Sequence, residues 1–78
     1  SIKLPINLQI NSKNTVSINN SESEIDKIDL IYDYYITKIN SKELNYKIIF
    51  NGSPKKFLQI MKERNITIDI DNEIWKIK

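Results

Sequence analysis

Seventy-eight residues without cysteine or histidine leave room for one small domain, 1–78, with no disulfide, no thiolate or imidazole metal site and no Ser–His or Cys–His nucleophile pair. A chain of this length buries roughly 60–65% of its unfolded surface, so its stability has to come from one dense core, which 17 isoleucines can supply. The formal charge of +2 accompanies 38 residues of Ile, Asn and Lys, no alanine and a single arginine, Arg64; A/T-rich codons produce this composition, so the lysine count alone says little about partners.

Ile2, Leu4, Ile6, Leu8 and Ile10 alternate with Lys3, Asn7 and Gln9, which predicts a half-buried strand over 2–10. Pro5, on the polar parity, predicts an edge position or a break near the strand start. Asn11-Ser12-Lys13-Asn14 has turn chemistry and Thr15-Val16-Ser17-Ile18 alternates again, so residues 2–19 read as a β-hairpin. Ser21 and Glu24 have the spacing of a capping box. Ile25, Ile28, Ile31, Tyr32, Tyr35, Ile36 and Ile39 then recur at helical spacing, which predicts a long helix ending near Asn40.

Tyr46 to Phe50 is a short apolar run of strand type, and Asn51-Gly52 is a turn. Ser53 is a good N-cap and Pro54 suits the first helical position, so a second helix is expected over about 54–64, closed by Asn65. Ile66, Ile68 and Ile70 alternate up to a turn at Asp71-Asn72; if that is a two-residue hairpin, Trp75 and Ile77 fall opposite Ile68 and Ile66. The expected order is ββαβαββ, an α+β fold in which two helices cover one antiparallel or mixed sheet, a two-layer α/β sandwich.

Charge is segregated along the chain: residues 21–40 carry a net −3 and residues 41–65 a net +4. Asp26, Asp29 and Asp33 form an acidic ridge on the outer face of the expected first helix. Carboxylates on one helix face do not converge on a cation, so the ridge reads as a solvated face or as a contact for a basic protein partner. Tyr32 and Tyr35 share the apolar stripe and are expected in the core or at its edge with the hydroxyl reaching water, whereas Tyr34 falls off it and is expected to be exposed. Trp75 is expected to pack. The serines and threonines have no base partner and Lys55 and Lys56 no evident desolvation, so neither catalysis nor a cofactor is expected.

The segment Asn51-Gly52-Ser53-Pro54-Lys55-Lys56 is the most informative. Two lysines in the first turn oppose the helix dipole instead of complementing it. The reversal is either a small tolerated cost of lysine-rich codon usage or, with backbone N–H groups and ammonium groups brought together, the makings of an anion site. Lys47, Lys62 and Arg64 lie in the same basic stretch.

From Ile48 onward the chain resembles the second half of a KH domain, a module that binds RNA and single-stranded DNA. The matching residues are Ile49-Phe50, Asn51-Gly52-Ser53-Pro54, Lys55-Lys56-Phe57, Ile60, Asn65 and Ile66-Thr67-Ile68-Asp69-Ile70-Asp71-Asn72. Asn51 and Pro54 hold the two glycine positions of the family's G-x-x-G loop, and Pro54 has no N–H to offer a phosphate. The same strand, turn, helix and hairpin are similar to domains of the translation-initiation-factor-3 type and to sulfur carriers, without the Cys-Pro motif of the latter. With an N-terminal hairpin counted, Ile48-Ile49-Phe50-Asn51-Gly52 also resembles the third strand and turn of a ubiquitin-like β-grasp, here without a C-terminal Gly-Gly.

The KH resemblance implies a non-catalytic module that contacts single-stranded nucleic acid or another polyanion through Lys47, Gly52, Ser53, Lys55, Lys56, Lys62 and Arg64. The alternative is a protein-interaction or assembly domain using Asp26, Asp29, Asp33 and Tyr34 on the first helix, or a sheet edge. No apolar run approaches the roughly 20 residues that span a bilayer, and the expectation is a soluble, cytoplasmic domain. Its start at Ser1 without Met reads as a piece of a longer chain.

Overall fold

The computed structural model describes residues 3–78. The first strand, β1 (Leu4–Asn11), keeps the alternation expected of it: Ile6, Leu8 and Ile10 are buried while Pro5, Asn7 and Asn11 are exposed. Ile2, the first residue of the expected strand, lies outside the described residues. Pro5 marks only a local edge. β1 is an inner strand, but its neighbour on one side pairs only with Leu8 and Gln9. At Pro5 the strand is therefore one-sided, and a missing N–H is tolerated there.

The expected second strand at 15–18 is instead the start of helix α1 (Thr15–Ile25). Asn14 caps it, its side-chain oxygen accepting from the N–H of Ser17 at 3.0 Å. Ile18, Ser21 and Ile25 then turn inward at i, i+3 and i+7, with Ser21 and Ile25 fully covered. The Ser21–Glu24 pair thus sits inside a helix that is already running and does not begin one. With no hairpin after β1, the β-grasp alternative loses the element it was built on.

The helix expected up to Asn40 stops at Ile25. The N–H groups of Lys27 and Ile28 turn back to the carbonyls of Glu24 and Ile25 at 3.0 and 3.1 Å, a tightened last turn. The chain then extends as β2 (Ile31–Ile39). Seven of its nine residues are Ile, Tyr or Thr, residues that favour a pleated surface. β2 pairs antiparallel with β3 (Glu43–Phe50), with irregularities at Tyr32 and Thr37.

The C-terminal half follows the expectation more closely. Helix α2 (Pro54–Glu63) starts at Ser53, whose hydroxyl accepts from the N–H of Lys56 at 3.1 Å. It ends in a Schellman arrangement: Asn65 takes the left-handed conformation at φ 61°, its N–H reaches the Lys62 carbonyl at 3.0 Å, and the Ile66 N–H reaches the Met61 carbonyl at 2.9 Å. β4 (Ile68–Asp69) and β5 (Trp75–Ile77) form the last hairpin. Its connection is longer than a two-residue turn, so Ile77 lies opposite Ile68 and Trp75 beside Leu8 of β1.

The five strands line up as β2-β3-β1-β5-β4, antiparallel except for the β1–β5 pair. The fold is two-layer α+β, with two helices on one mixed sheet in the order βαββαββ. Relative to the expected order, the first helix and the second strand have exchanged places. Leu8, Ile10, Tyr46, Ile48 and Phe50 of the central strands meet Ile25, Phe57 and Met61 of the helices in the core. Phe50 and Phe57 pack edge to face at 5.2 Å, and Trp75 lies 6.4 Å from Phe57 as a packing residue.

Candidate functional site

The basic residues singled out above divide over three places. Lys55 and Lys56 stand exposed in the first turn of α2, which holds no acidic residue. Among the described residues neither has a carboxylate within 4.0 Å. Lys62 lies seven residues beyond Lys55, about 10 Å along the axis and on the same side, where it complements the dipole of the last turn. Arg64 closes the helix with its guanidinium 3.5 Å from Glu24, a partly exposed ion pair that Glu24 shares with Lys27. Lys47 projects from the other face of the sheet, since its neighbours Tyr46 and Ile48 point into the core.

Gly52 and Ser53 serve the local fold. A side chain at Gly52 would place its Cβ 2.7 Å from Cε2 of the buried Phe50 ring, so the ring claims the space that glycine leaves empty. Asn51 ties the turn to the preceding connection through its N–H to the Leu30 carbonyl at 2.8 Å. The Ser53 hydroxyl is the helix cap.

The acidic ridge does not exist as a helix face. Asp26 is the C-cap of α1, Asp29 lies in the connection that follows, and Asp33 is on β2. The tyrosines change places for the same reason, because a strand alternates with period two. Tyr34 turns inward, half-buried, its ring 6.2 Å from Tyr46 and its hydroxyl donating to Asp26 at 2.8 Å. That bond, with some burial, raises its pKa to about 12. Tyr32 and Tyr35, expected in the core or at its edge, are 68% and 47% exposed.

The helix-free face of the sheet was not anticipated as a surface. In register across β1, β3 and β2 it carries Asn7, Lys47 and Tyr35 in one row, then Gln9, Asn45 and Lys38 in the next. Lys3 lies over the Tyr32 ring at 3.8 Å, a cation–π contact. Glu43 gathers Lys38 at 2.6 Å and Gln9 at 2.9 Å, and the Lys38 contact holds its carboxyl below the usual range. The polar parity of β1 was the available clue to this face.

The described residues contain no cluster of three or more acidic side chains that could hold a metal ion, and no helix is long and apolar enough to cross a membrane. Comparison with protein-family models, curated proteins and solved structures returns no match.

Proposed function

We propose that this chain is a non-catalytic, KH-like binding module that contacts single-stranded nucleic acid or a related polyanion through the exposed side of α2. The observation that carries this is the state of Lys55 and Lys56: both are exposed at a capped helix start, and no described carboxylate neutralises either one. A helix N-terminus with two unpaired ammonium groups is a local concentration of positive charge, and Lys62 extends it along the same side. Arg64 is drawn toward Glu24 and contributes less to this charge. Lys47 faces the other side of the sheet, and Gly52 is required beside Phe50 by the fold, so the proposed contact rests on Lys55, Lys56 and Lys62.

Such a site binds by counterion release, with low sequence preference. Fluorescence anisotropy with a labelled single-stranded RNA at low salt tests it. The wild type should bind, and Lys55→Glu combined with Lys56→Glu should abolish binding without changing the circular-dichroism spectrum. A wild type that leaves the anisotropy unchanged at low salt rejects the proposal.

A further inference from the structure

The two edges of the sheet are unlike. β4 is two residues long, a blunted edge of the kind that discourages pairing. β2 is nine residues long, about 30 Å of strand, and among the described residues its outer side has no ladder partner. Its helix-side face is apolar and largely uncovered: Ile36 and Ile39 point toward the helix layer yet are 50% and 68% exposed, while on the open face Tyr35 stands between Asp33 and Lys38. A long unpaired edge with one uncovered apolar face is a template for another strand.

The sequence of β2 selects which strand that is. With Tyr32 and Thr37 as the irregular residues, the ladder positions read Ile31, Asp33, Tyr34, Tyr35, Ile36, Lys38, Ile39. Reversed about Tyr35, this order sets Ile31 against Ile39, Asp33 against Lys38 and Tyr34 against Ile36. Each pair shares a face, because Asp33, Tyr35 and Lys38 lie on the open side and the others on the helix side. The only charges on the strand are one acid and one base, and they meet each other. Parallel pairing in register would set Asp33 on Asp33 and Lys38 on Lys38, which is repulsive. Lys38 already touches Glu43, but an ammonium group has three donors and can donate to a second carboxylate.

We infer that β2 is a self-complementary edge, and that two copies of this chain pair antiparallel through it, with Tyr35 on the two-fold axis, to form one continuous sheet. The symmetry closes the assembly at a dimer, because each copy uses its one long edge. The contact is a single strand wide, at the small end of specific interfaces, so association depends on concentration. It is independent of the α2 lysines.

Sedimentation equilibrium from about 1 μM to about 1 mM should show the mass rising from 9.2 kDa toward twice that value. Asp33→Lys and Lys38→Asp, each alone, should weaken self-association by about tenfold or more, and an equimolar mixture of the two should form a heterodimer. Because the chain has no cysteine, Tyr35→Cys introduces a lone thiol on the proposed axis, and mild oxidation should link it into a disulfide dimer, whereas Thr67→Cys should not. A wild type that stays at 9.2 kDa throughout, or a dimer that survives Ile36→Lys with Ile39→Lys, overturns the inference. Should a single-charge variant fail to fold, the cysteine pair still decides the matter.

Discussion

At the scale of single residues, Ser21 shows a polar group placed at a cost. It is 1% exposed on the inner side of α1, and its hydroxyl has no hydrogen-bond partner. Ser21→Ala removes that orphan and adds helix propensity, so it should stabilise the fold by about 1 kcal/mol, read as a melting temperature higher by about 4–8 °C. Gly52→Ala should act in the opposite sense. Its Cβ would strike a ring held in the core, and overpacking of this kind costs about 1–3 kcal/mol. The glycine was legible as a turn residue, but nothing in its neighbours disclosed that Phe50 needs the vacant space. Tyr34 and Tyr35 show the same limit, since adjacent tyrosines exchange inside and outside when the period changes from 3.6 to two.

At the scale of elements, α2 was readable because its signals are chemical as well as periodic. Ser53, Pro54, Phe57, Met61 and Asn65 each specify one place in a helix. Ser53→Ala should therefore cost about 1 kcal/mol through the lost cap, lowering the melting temperature with no change in the folded spectrum. β2 was not readable by periodicity, because its apolar residues are dense enough to satisfy both periods. Its strand-forming composition was the better guide, and tertiary pairing with β3 settled the outcome. The run 15–18 erred the other way: four alternating residues are too few to outweigh a cap at Asn14. The acidic ridge failed with the long helix that carried it.

At the scale of the whole molecule, the two-layer α+β class was legible, since two helices and several alternating strands admit few other ways to bury one face. The charge pattern also makes stability depend on pH from both ends. Tyr34 is raised to about 12 by its bond to Asp26, and Tyr46 is raised by burial and its bond to Glu22. Both favour the neutral phenol in the folded state. Their contribution is whole below the unfolded value of about 10 and falls away as the pH climbs toward 12. Glu43 and Asp69 are lowered, by the hydrogen bonds from Lys38 and from the Asp71 N–H respectively. Their contribution is whole above the ordinary carboxylate range of about 4 and is lost as the pH drops through their lowered values. Denaturation midpoints measured against pH should fall at both extremes, and Tyr34→Phe should flatten the alkaline limb alone.

The distribution of lysines over the surface is a property of the whole fold. Of the basic residues in 47–64, the fold leaves Lys55, Lys56 and Lys62 together on one exposed side and turns Lys47 and Arg64 away. The most direct measurement is the salt dependence of binding to a labelled single-stranded RNA. Three phosphate contacts predict a slope of log K against log salt of about −2, and a loss of binding in the Lys55→Glu, Lys56→Glu double variant. A slope near zero, or a double variant that binds as well as the wild type, would contradict it.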